Sequence, residues 1–325
     1  MTKNILVTGG AGYIGYSVIN ELLNNNIGEK IIIFDNFSKA KATALADLIK
    51  NEKIILIPGE KADIREEKNI EEAIKLYSPE TIIHLAAKLD NFTKYKDGND
   101  PDTEIINHKA TVKLAEIAKK NGVKNFIFQS TVRVYKPQQD LVEESEKTPL
   151  YDYGKSKLLA ENDLLTFVET DFNVAILRAA AVAGYNPCFR YETMINLMCI
   201  NSVYKNPINI FQSAMNLKKS TLGINDNARA IIFALNNAKK VSGKPLNVSS
   251  FDCTIKEVLD ILIEKLGNTF PYTLIEENEA KDTFYTLNTQ KIRTFGFEPK
   301  DTLKETIEST INALIQRKSL EEKQL

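Results

Sequence analysis

The sequence predicts an α/β protein with a doubly wound parallel sheet and a smaller C-terminal domain interleaved with it. In the first half of the chain, short apolar runs alternate with longer amphipathic stretches, at about 30 residues per unit, as right-handed β-α-β crossovers require. The runs are rich in Ile, Val and Phe, which is typical of strands buried on both faces. A glycine-rich turn directly follows the first run, where such sheets bind ligands.

Six apolar runs are predicted strands, and four amphipathic stretches between them are predicted helices. The strands are residues 4–8, 30–35, 54–58, 81–85, 125–129 and 174–177. The helices are residues 14–25, 68–77, 104–121 and 153–169. Pro79 and Gly122 stand where two of these helices should end, because proline and glycine commonly follow a helix.

The rhythm changes after residue 177. A loop-rich stretch at 179–222 is followed by a helix at 225–238, a strand at 245–249, a helix at 255–266 and a charged amphipathic helix at 302–325. No long linker of Gly, Ser or Pro separates two halves of the chain. We therefore predict a first domain of residues 1–178 plus 223–249, and a second of residues 179–222 plus 250–325.

Composition argues against several classes of protein. The 325 residues carry a formal net charge of −1, so no global basic field favours nucleic acid or an anionic membrane. Cys188, Cys199 and Cys253 form neither a C-x-x-C pair nor a His-supported spacing, and no metal site is predicted. No apolar run reaches the roughly 18 residues of a membrane helix, and the early first strand leaves no room for a signal peptide. We expect a cytoplasmic protein with reduced thiols.

The strongest local motif is TGGAGYIG at residues 8–15, between a predicted strand and a predicted helix. Gly9 permits a tight turn, Gly12 lets a pyrophosphate approach the backbone, and Gly15 lets the helix pack closely on the strand. The free N–H groups of the helix N-terminus favour phosphate. The motif predicts a dinucleotide site of the Rossmann type.

The second predicted strand ends at Asp35, about 20 residues past the last glycine, as in dinucleotide-binding units. A carboxylate there accepts hydrogen bonds from both ribose hydroxyls and repels a 2′-phosphate. The sequence therefore favours NAD over NADP.

Two overlapping Tyr-x-x-x-Lys pairs occur on the helix at 153–169 and just before it. Tyr153 with Lys157, and Tyr151 with Lys155, each place an ammonium about one helical turn from a phenol. Such an ammonium stabilises phenolate and lowers the pKa of the tyrosine, which makes it a general acid or base. The spacing alone leaves both pairs open.

Hydroxyl side chains follow the strand at 125–129, namely Ser130 and Thr131. The end of a strand in such a sheet lies beside the ligand crevice, where a hydroxyl can hydrogen-bond a reacting oxygen. The structural alternative is a helix cap or a strand terminator.

Nearly the whole chain resembles the extended short-chain dehydrogenase/reductase family, also called the NAD-dependent epimerase/dehydratase family. The matching motifs occur in the family's order: TGGAGYIG at 8–15, Asp35-Asn36, Ala62-Asp63-Ile64-Arg65, His84-Leu85-Ala86-Ala87, Asn107 with Thr111, QSTVRVY at 129–135, and PLYDYGKSKLLAE at 149–161. The family's glycine before Thr111 is Ala110 here, and its glycine after the V-Y pair is Lys136.

The resemblance implies roles for these residues. It selects Tyr153 and Lys157 over the other pair and places Thr131 at the catalytic Ser/Thr position. The implied cofactor is NAD, and its implied contacts are Gly9, Gly12, Tyr13, Ile14, Gly15, Asp35, Asn36, Asp63, Ile64, Leu85, Ala86, Ala87 and Lys157.

Departures from the family pattern concentrate where the substrate should bind. Family members that act on nucleotide sugars usually have an asparagine that contacts the diphosphate, whereas the corresponding run here, residues 179–181, is all alanine. A later arginine of the family, which also holds the diphosphate, is Lys219 in this chain. Val132 and Arg133 stand where dehydratases carry an acid pair, so the resemblance disfavours dehydration. Candidate substrate-binding residues are Lys88, Arg133, Arg190 and Lys219.

Three functions follow from the resemblance. The first is an NAD-dependent epimerase of a sugar or nucleotide sugar that works through a transient keto intermediate, with Tyr153 as acid and base. The second is a net NAD-dependent dehydrogenase or reductase of a sugar, polyol or keto-sugar. The third is a non-catalytic nucleotide-binding regulator, which the intact Tyr153–Lys157 pair disfavours.

The resemblance also implies a homodimer formed by the helices at 104–121 and 153–169. Their apolar positions are more numerous than one contact with the sheet requires. These positions are Val112, Ala115, Ile117, Leu158, Leu159, Leu164 and Leu165.

Overall fold

The computed structural model describes residues 3–39, 42–89, 100–276 and 284–323. Its strands are β1 (Ile5–Thr8), β2 (Ile31–Phe34), β3 (Ile54–Leu56), β4 (Thr81–His84), β5 (Asn125–Thr131), β6 (Asn173–Ala179), β7 (Ala181–Ala183), β8 (Ile208–Phe211), β9 (Lys219–Gly223), β10 (Leu246–Val248), β11 (Phe251–Cys253) and β12 (Tyr272–Ile275). Its α-helices are α1 (Tyr13–Asn24), α2 (Glu67–Tyr77), α3 (Pro101–Glu104), α4 (Ala110–Lys120), α5 (Asp152–Thr166), α6 (Met194–Tyr204), α7 (Ile224–Asn236), α8 (Ala238–Val241), α9 (Ile255–Leu266), α10 (Gln290–Thr294) and α11 (Leu303–Glu322).

The main sheet has seven strands in the order β3-β2-β1-β4-β5-β6-β10, and every neighbouring pair is parallel. Every residue of β1, β2 and β4 is buried, because helices cover both faces of the sheet. The predicted doubly wound α/β fold is confirmed. The strand order reverses at β1, between β2 and β4, and such a switch point opens a crevice at the carboxyl ends of the strands.

Each face of the sheet has its own apolar core. One core packs α1 and α7 against residues such as Val7, Ile33 and Ile127. The other packs α2, α4 and α5 against residues such as Leu6 and Phe126. The alternation of side chains along each strand supplies both cores at once.

A third core lies among α6, α9 and α11 and contains Ile195, Leu262 and Ile311. Helix α6 lies within 179–222, where the sequence predicted mainly loops; apolar residues such as Leu197 on its outer face hide its helical period. Residues 285–297 lie in the predicted second domain but pack against the core beside α1 and α7. The predicted domain boundaries therefore do not follow the apolar cores at residues 285–297.

The helix predicted at 104–121 is interrupted by a π-helical turn, Ile105–Lys109, between α3 and α4. Several apolar residues expected on a dimer face pack inside the monomer instead: Ala115 and Leu164 are completely buried, and Ile117 is 8% exposed. The apolar count of these helices therefore overestimates their outer surface, although Leu159 is 43% exposed.

Within the described ranges, no helix is both long and apolar enough to span a bilayer. The same residues contain no group of three or more acidic, His or Cys side chains arranged to hold a metal ion. The predicted end of the last helix, Leu325, lies outside the described residues.

Candidate active site

The glycine motif forms a tight turn in which two positions, Gly9 and Gly15, have no room for a side chain. Gly9 has φ +66°, and a Cβ there would lie 2.6 Å from the amide nitrogen of Ala86. A Cβ on Gly15 would lie 2.4 Å from the carbonyl oxygen of Gly9. Both contacts are with backbone, which cannot move aside cheaply. The turn therefore holds β1, α1 and the segment after β4 in close contact.

Helix α1 points an uncapped N-terminus at this turn. Its N-cap is Gly12, which has no side chain to bond the first N–H groups. These N–H groups and the positive end of the helix dipole suit a phosphate. The Tyr13 hydroxyl donates to the Gly184 carbonyl at 2.6 Å, so only the backbone of Tyr13 is left to face a cofactor. Ile14 packs between two apolar clusters.

Asp35 lies directly beside the turn. Its carboxylate accepts from the Ala11 N–H at 3.0 Å and from the Phe37 N–H at 2.8 Å. Burial raises the pKa of Asp35, and the two N–H groups oppose that rise. A half-buried carboxylate at the end of β2 suits recognition of two ribose hydroxyls.

Asp63 is fixed by its neighbours. The Arg65 side chain donates to both of its carboxylate oxygens, at 2.9 and 2.6 Å, and Asn36 Nδ2 donates at 3.0 Å. The hydrogen bonds from Arg65 lower the pKa of Asp63 to about 2. Ile64 is 6% exposed and belongs to the core.

The segment after β4 is held by Asn107 in the π-helical turn. Asn107 Oδ1 accepts from the Lys88 N–H, and its Nδ2 donates to the Lys88 carbonyl, both at 2.7 Å. Nδ2 also donates to Ser156 Oγ on α5 at 3.1 Å. Asn107 thus joins the chain that follows Leu85, Ala86 and Ala87 to the helix of the predicted catalytic tyrosine.

His84, at the end of β4, is completely buried and bridges two threonines. Its Nδ1 lies 2.6 Å from Thr8 Oγ1, and its Nε2 lies 2.8 Å from Thr111 Oγ1. Burial and the nearby charge of Lys157 hold the pKa of His84 well below its ordinary value. The imidazole is therefore neutral and ties β1, β4 and α4 together.

Lys157 projects from α5 to the end of β5. It is 1% exposed, and its Nζ donates to the Gln129 carbonyl at 2.9 Å and lies 4.4 Å from the centre of the Phe128 ring. Burial lowers its pKa to about 7, and the Glu161 carboxylate opposes that fall. In the other predicted pair, Lys155 is exposed and bonds Asp152.

The two tyrosines also differ in position. Tyr153 lies in the first turn of α5, whereas Tyr151 is its extended N-cap. The Tyr151 carbonyl accepts from the Lys155 N–H at 3.0 Å, so both tyrosines precede their lysines by one helical turn. The two lysines differ in burial, since Lys157 is 1% exposed and Lys155 lies at the surface, and the choice of Tyr153 with Lys157 stays a prediction. Thr131 ends β5, and its Oγ1 accepts from the Arg133 N–H at 3.2 Å. A threonine hydroxyl that accepts such a bond can also donate one.

Gly154 explains how α5 approaches this strand end. A Cβ there would lie 2.2 Å from the Arg133 carbonyl oxygen, so no side chain fits at that position.

The four predicted substrate-binding residues contact different parts of the chain. Lys88 pairs with Asp100 and Asp102 at 2.9 and 2.7 Å. Arg190 bonds Glu192 at 3.2 Å, and Lys219 Nζ lies 5.1 Å from the centre of the Phe284 ring. The exposed Arg133 borders Thr131 through its backbone. Substrate contact by these residues stays a prediction, and the carboxylates beside Lys88 already balance its charge.

Sequence reasoning did not predict the buried pair of Glu161 and Arg178 behind the site. Their side chains are 1% and 3% exposed, and they meet at 2.6 Å. The spacing of Glu161, four residues after Lys157, was the available signal.

The glycine turn, the uncapped helix and the Asp35 carboxylate together fit a dinucleotide, and comparison with known proteins agrees. Residues 5–249 match the model of the NAD dependent epimerase/dehydratase family. A putative UDP-glucose 4-epimerase of Methanocaldococcus jannaschii is 27% identical over 313 residues, which cover 95% of this chain and 97% of that protein. A dTDP-glucose 4,6-dehydratase of Haemophilus influenzae is 25% identical over 337 residues, covering 95% of this chain and 96% of the other.

Solved structures share the fold. The UDP-glucuronic acid 4-epimerase of Bacillus cereus superposes with a TM-score of 0.85 at 22% identity, covering 97% of this chain and 99% of that one. The family match covers well over half of the chain and confirms the predicted resemblance, enzyme class and cofactor. This chain therefore belongs to the NAD-dependent epimerase/dehydratase family, and NAD is its cofactor.

Proposed function

We propose that this protein is a nucleotide-sugar epimerase that oxidises one substrate carbon transiently and reduces it again from the other face. The observation that carries the proposal is the catalytic set without added carboxylates. Thr131 ends β5, the ammonium of Lys157 reaches the same strand end, and Tyr153 precedes Lys157 by one helical turn. The two residues after Thr131 are Val132 and Arg133. A dehydratase would carry an acid and a base at those two positions to remove water, and this chain has neither there.

The chain's own residues supply the proton chemistry. Thr131 donates a hydrogen bond to the reacting oxygen, which orients it beside Tyr153. Tyr153 takes the hydroxyl proton when the carbon is oxidised and returns it when the carbon is reduced. The buried Lys157 ammonium stabilises the phenolate between these events. Bound NAD supplies the hydride acceptor and donor, so that one cofactor serves both halves of the reaction.

The direct test is incubation of the purified protein with UDP- and dTDP-sugars, each in both epimeric forms. We expect interconversion of one pair without net formation of NADH. Failure with every pair would reject the epimerase.

The runner-up is a net dehydrogenase or reductase of a smaller sugar, polyol or keto-sugar. The alanines at 179–181 favour it, because alanine has no donor for a diphosphate. Accumulation of NADH that depends on such a substrate would support this function instead.

Cofactor preference should depend on Asp35. We expect NAD to bind at least tenfold more tightly than NADP, about 1.4 kcal/mol, because the carboxylate occupies the position of a 2′-phosphate. Calorimetric titration with both cofactors measures the difference. Asp35→Asn removes the charge at nearly constant shape and should narrow the gap, and equal affinities in the wild type would contradict the ribose assignment.

We also propose a homodimer formed by the outer faces of the helices predicted at 104–121 and 153–169, which are the π-helical turn with α4, and α5. Ile105 and Leu159 are each 43% exposed there, and the His108–Asp163 pair joins the two helical segments at 2.6 Å. Burial of these side chains against a second copy would remove apolar surface from water.

Light scattering at micromolar concentration tests the dimer. We expect the wild type to have twice the chain mass and Leu159→Glu to shift toward monomer, because a buried carboxylate in the interface is costly. Leu320→Glu on α11 is the matched control, since Leu320 is 61% exposed and lies on another helix. A monomeric wild type would exclude the proposed interface.

A further inference from the structure

A buried network of charges lies directly behind the catalytic strand end. Glu161 on α5 accepts hydrogen bonds from Ser130 Oγ on β5 and from the Arg178 guanidinium on β6, through Nε at 3.1 and 3.0 Å and through the terminal nitrogen at 2.6 Å. Ser130 stands between Gln129, whose carbonyl holds Lys157, and Thr131. The Glu161 carboxylate therefore bonds to β5 at the residue between Gln129, which holds Lys157, and the predicted catalytic Thr131.

Arg178 is fixed from its other side as well. It donates to the Tyr135 hydroxyl at 2.8 Å and to the Glu143 carbonyl at 2.9 Å. The Tyr135 hydroxyl donates to Asn247 Oδ1 at 2.7 Å. These bonds leave the guanidinium little freedom to move away from Glu161.

Among the described residues, Glu161 is the charged group that acts most strongly on Lys157. Further ionisable groups are Tyr153, four residues before it on α5, the neutral His84 on β4, and Arg178 on β6, which pairs with Glu161. Its ammonium donates a hydrogen bond to the Gln129 carbonyl, which is neutral. Glu161 is thus the anion that offsets the cost of burying the ammonium.

We propose that Glu161 is a positioning residue that keeps the buried Lys157 charged, and that Arg178 holds the carboxylate in place and limits its effect. This inference rests on the proposed function, because it assigns the pair to the catalytic lysine. A carboxylate stabilises a neighbouring ammonium, and an uncompensated guanidinium destabilises it. Removal of Glu161 alone leaves two buried cations, whereas removal of both partners leaves one.

The test is the titration of Lys157 itself, which needs no sugar substrate. Full-length protein with ¹³C- and ¹⁵N-labelled lysine is titrated by NMR, without added nucleotide and then with NAD, and the Lys157 signal is assigned by its loss in Lys157→Met. Glu161→Gln keeps the shape and the acceptor for Arg178 but removes the charge. We expect its Lys157 midpoint to fall by about one pH unit or more.

Two further variants separate charge from structure. Glu161→Gln/Arg178→Met should return the midpoint at least halfway to the wild-type value, because both charges are gone. Ser130→Ala removes a hydrogen bond to Glu161 without changing any charge and should leave the midpoint in place. If Glu161→Gln does not fold in buffer, it and the wild type are compared in trimethylamine oxide, which favours the compact state.

An unchanged Lys157 midpoint in Glu161→Gln, or a double variant no higher than that single variant, would overturn the proposal. Because the titration is read without turnover, its result does not depend on whether an epimerase substrate is found. Failure of this proposal and failure of the proposed function can therefore be distinguished.

Discussion

Replacement of Tyr153 by phenylalanine should reduce turnover by about a hundred- to ten-thousandfold, the usual contribution of general acid–base catalysis. Phenylalanine keeps the ring and its packing but loses the group that exchanges the proton. The fold and the affinity for NAD should stay close to wild type, because Gly9, Gly15 and Asp35 form a separate part of the site. Single-turnover reduction of bound NAD by the substrate measures the loss.

Tyr151→Phe is the matched control for this prediction. Tyr151 precedes α5 in an extended conformation, and its lysine partner, Lys155, is exposed and paired with Asp152. We therefore expect Tyr151→Phe to keep most of the activity. An inactive Tyr151→Phe beside an active Tyr153→Phe would mean that the other register carries the chemistry, and full activity of both would reject the mechanism.

Thr131 gives a further check on the same site. Thr131→Ser keeps the hydroxyl and should keep most activity, whereas Thr131→Val has a similar shape without the hydroxyl and should lose it. Equal activity of the two variants would remove Thr131 from the mechanism.

The parallel sheet could be predicted because strands buried on both faces leave a continuous apolar signal. Ile31–Phe34 and Thr81–His84 are buried throughout, and each of these two strands lies within its predicted run. Strands β5 and β6 extend beyond their predicted runs, to Thr131 and Ala179. The second domain gave less signal. β11 has only three residues and pairs with β9 across a long stretch of sequence, and such pairing depends on tertiary contacts rather than on local pattern.

The site divides in a similar way. Gly9 and Gly15 could be predicted because backbone approaches exclude side chains there, and the motif records this exclusion. The partners of Lys88 could not, because Asp100 and Asp102 reach it only through the path of the folded chain. Tyr151 and Lys155 have the same spacing as Tyr153 and Lys157, so the sequence alone does not separate the two pairs. The burial of Lys157 and the exposure of Lys155 depend on how α5 packs on the sheet.

Loss of Arg178 should have the largest effect on stability. Arg178→Met removes the cation from a carboxylate that is 1% exposed, and breaking a buried ion pair from one side costs about 3–5 kcal/mol. Methionine fills much of the space of the arginine stem, so the loss arises mainly from the unpaired charge and the vacated acceptors. Urea unfolding, with the free energy extrapolated to water, measures the difference.

The double variant Glu161→Gln/Arg178→Met distinguishes this cause from a packing defect. The comparison is made well above the pKa of Lys157, which is about 7, so that its ammonium does not replace Arg178 as the partner of Glu161. If the unpaired carboxylate dominates, the double variant should there be more stable than Arg178→Met alone, although it carries one more substitution. The desolvation of the Glu161 carboxylate is then relieved, while the vacated carbonyl of Glu143 remains in both variants. A double variant that is less stable than Arg178→Met would show that packing and hydrogen bonding, rather than the buried charge, set the stability of this network.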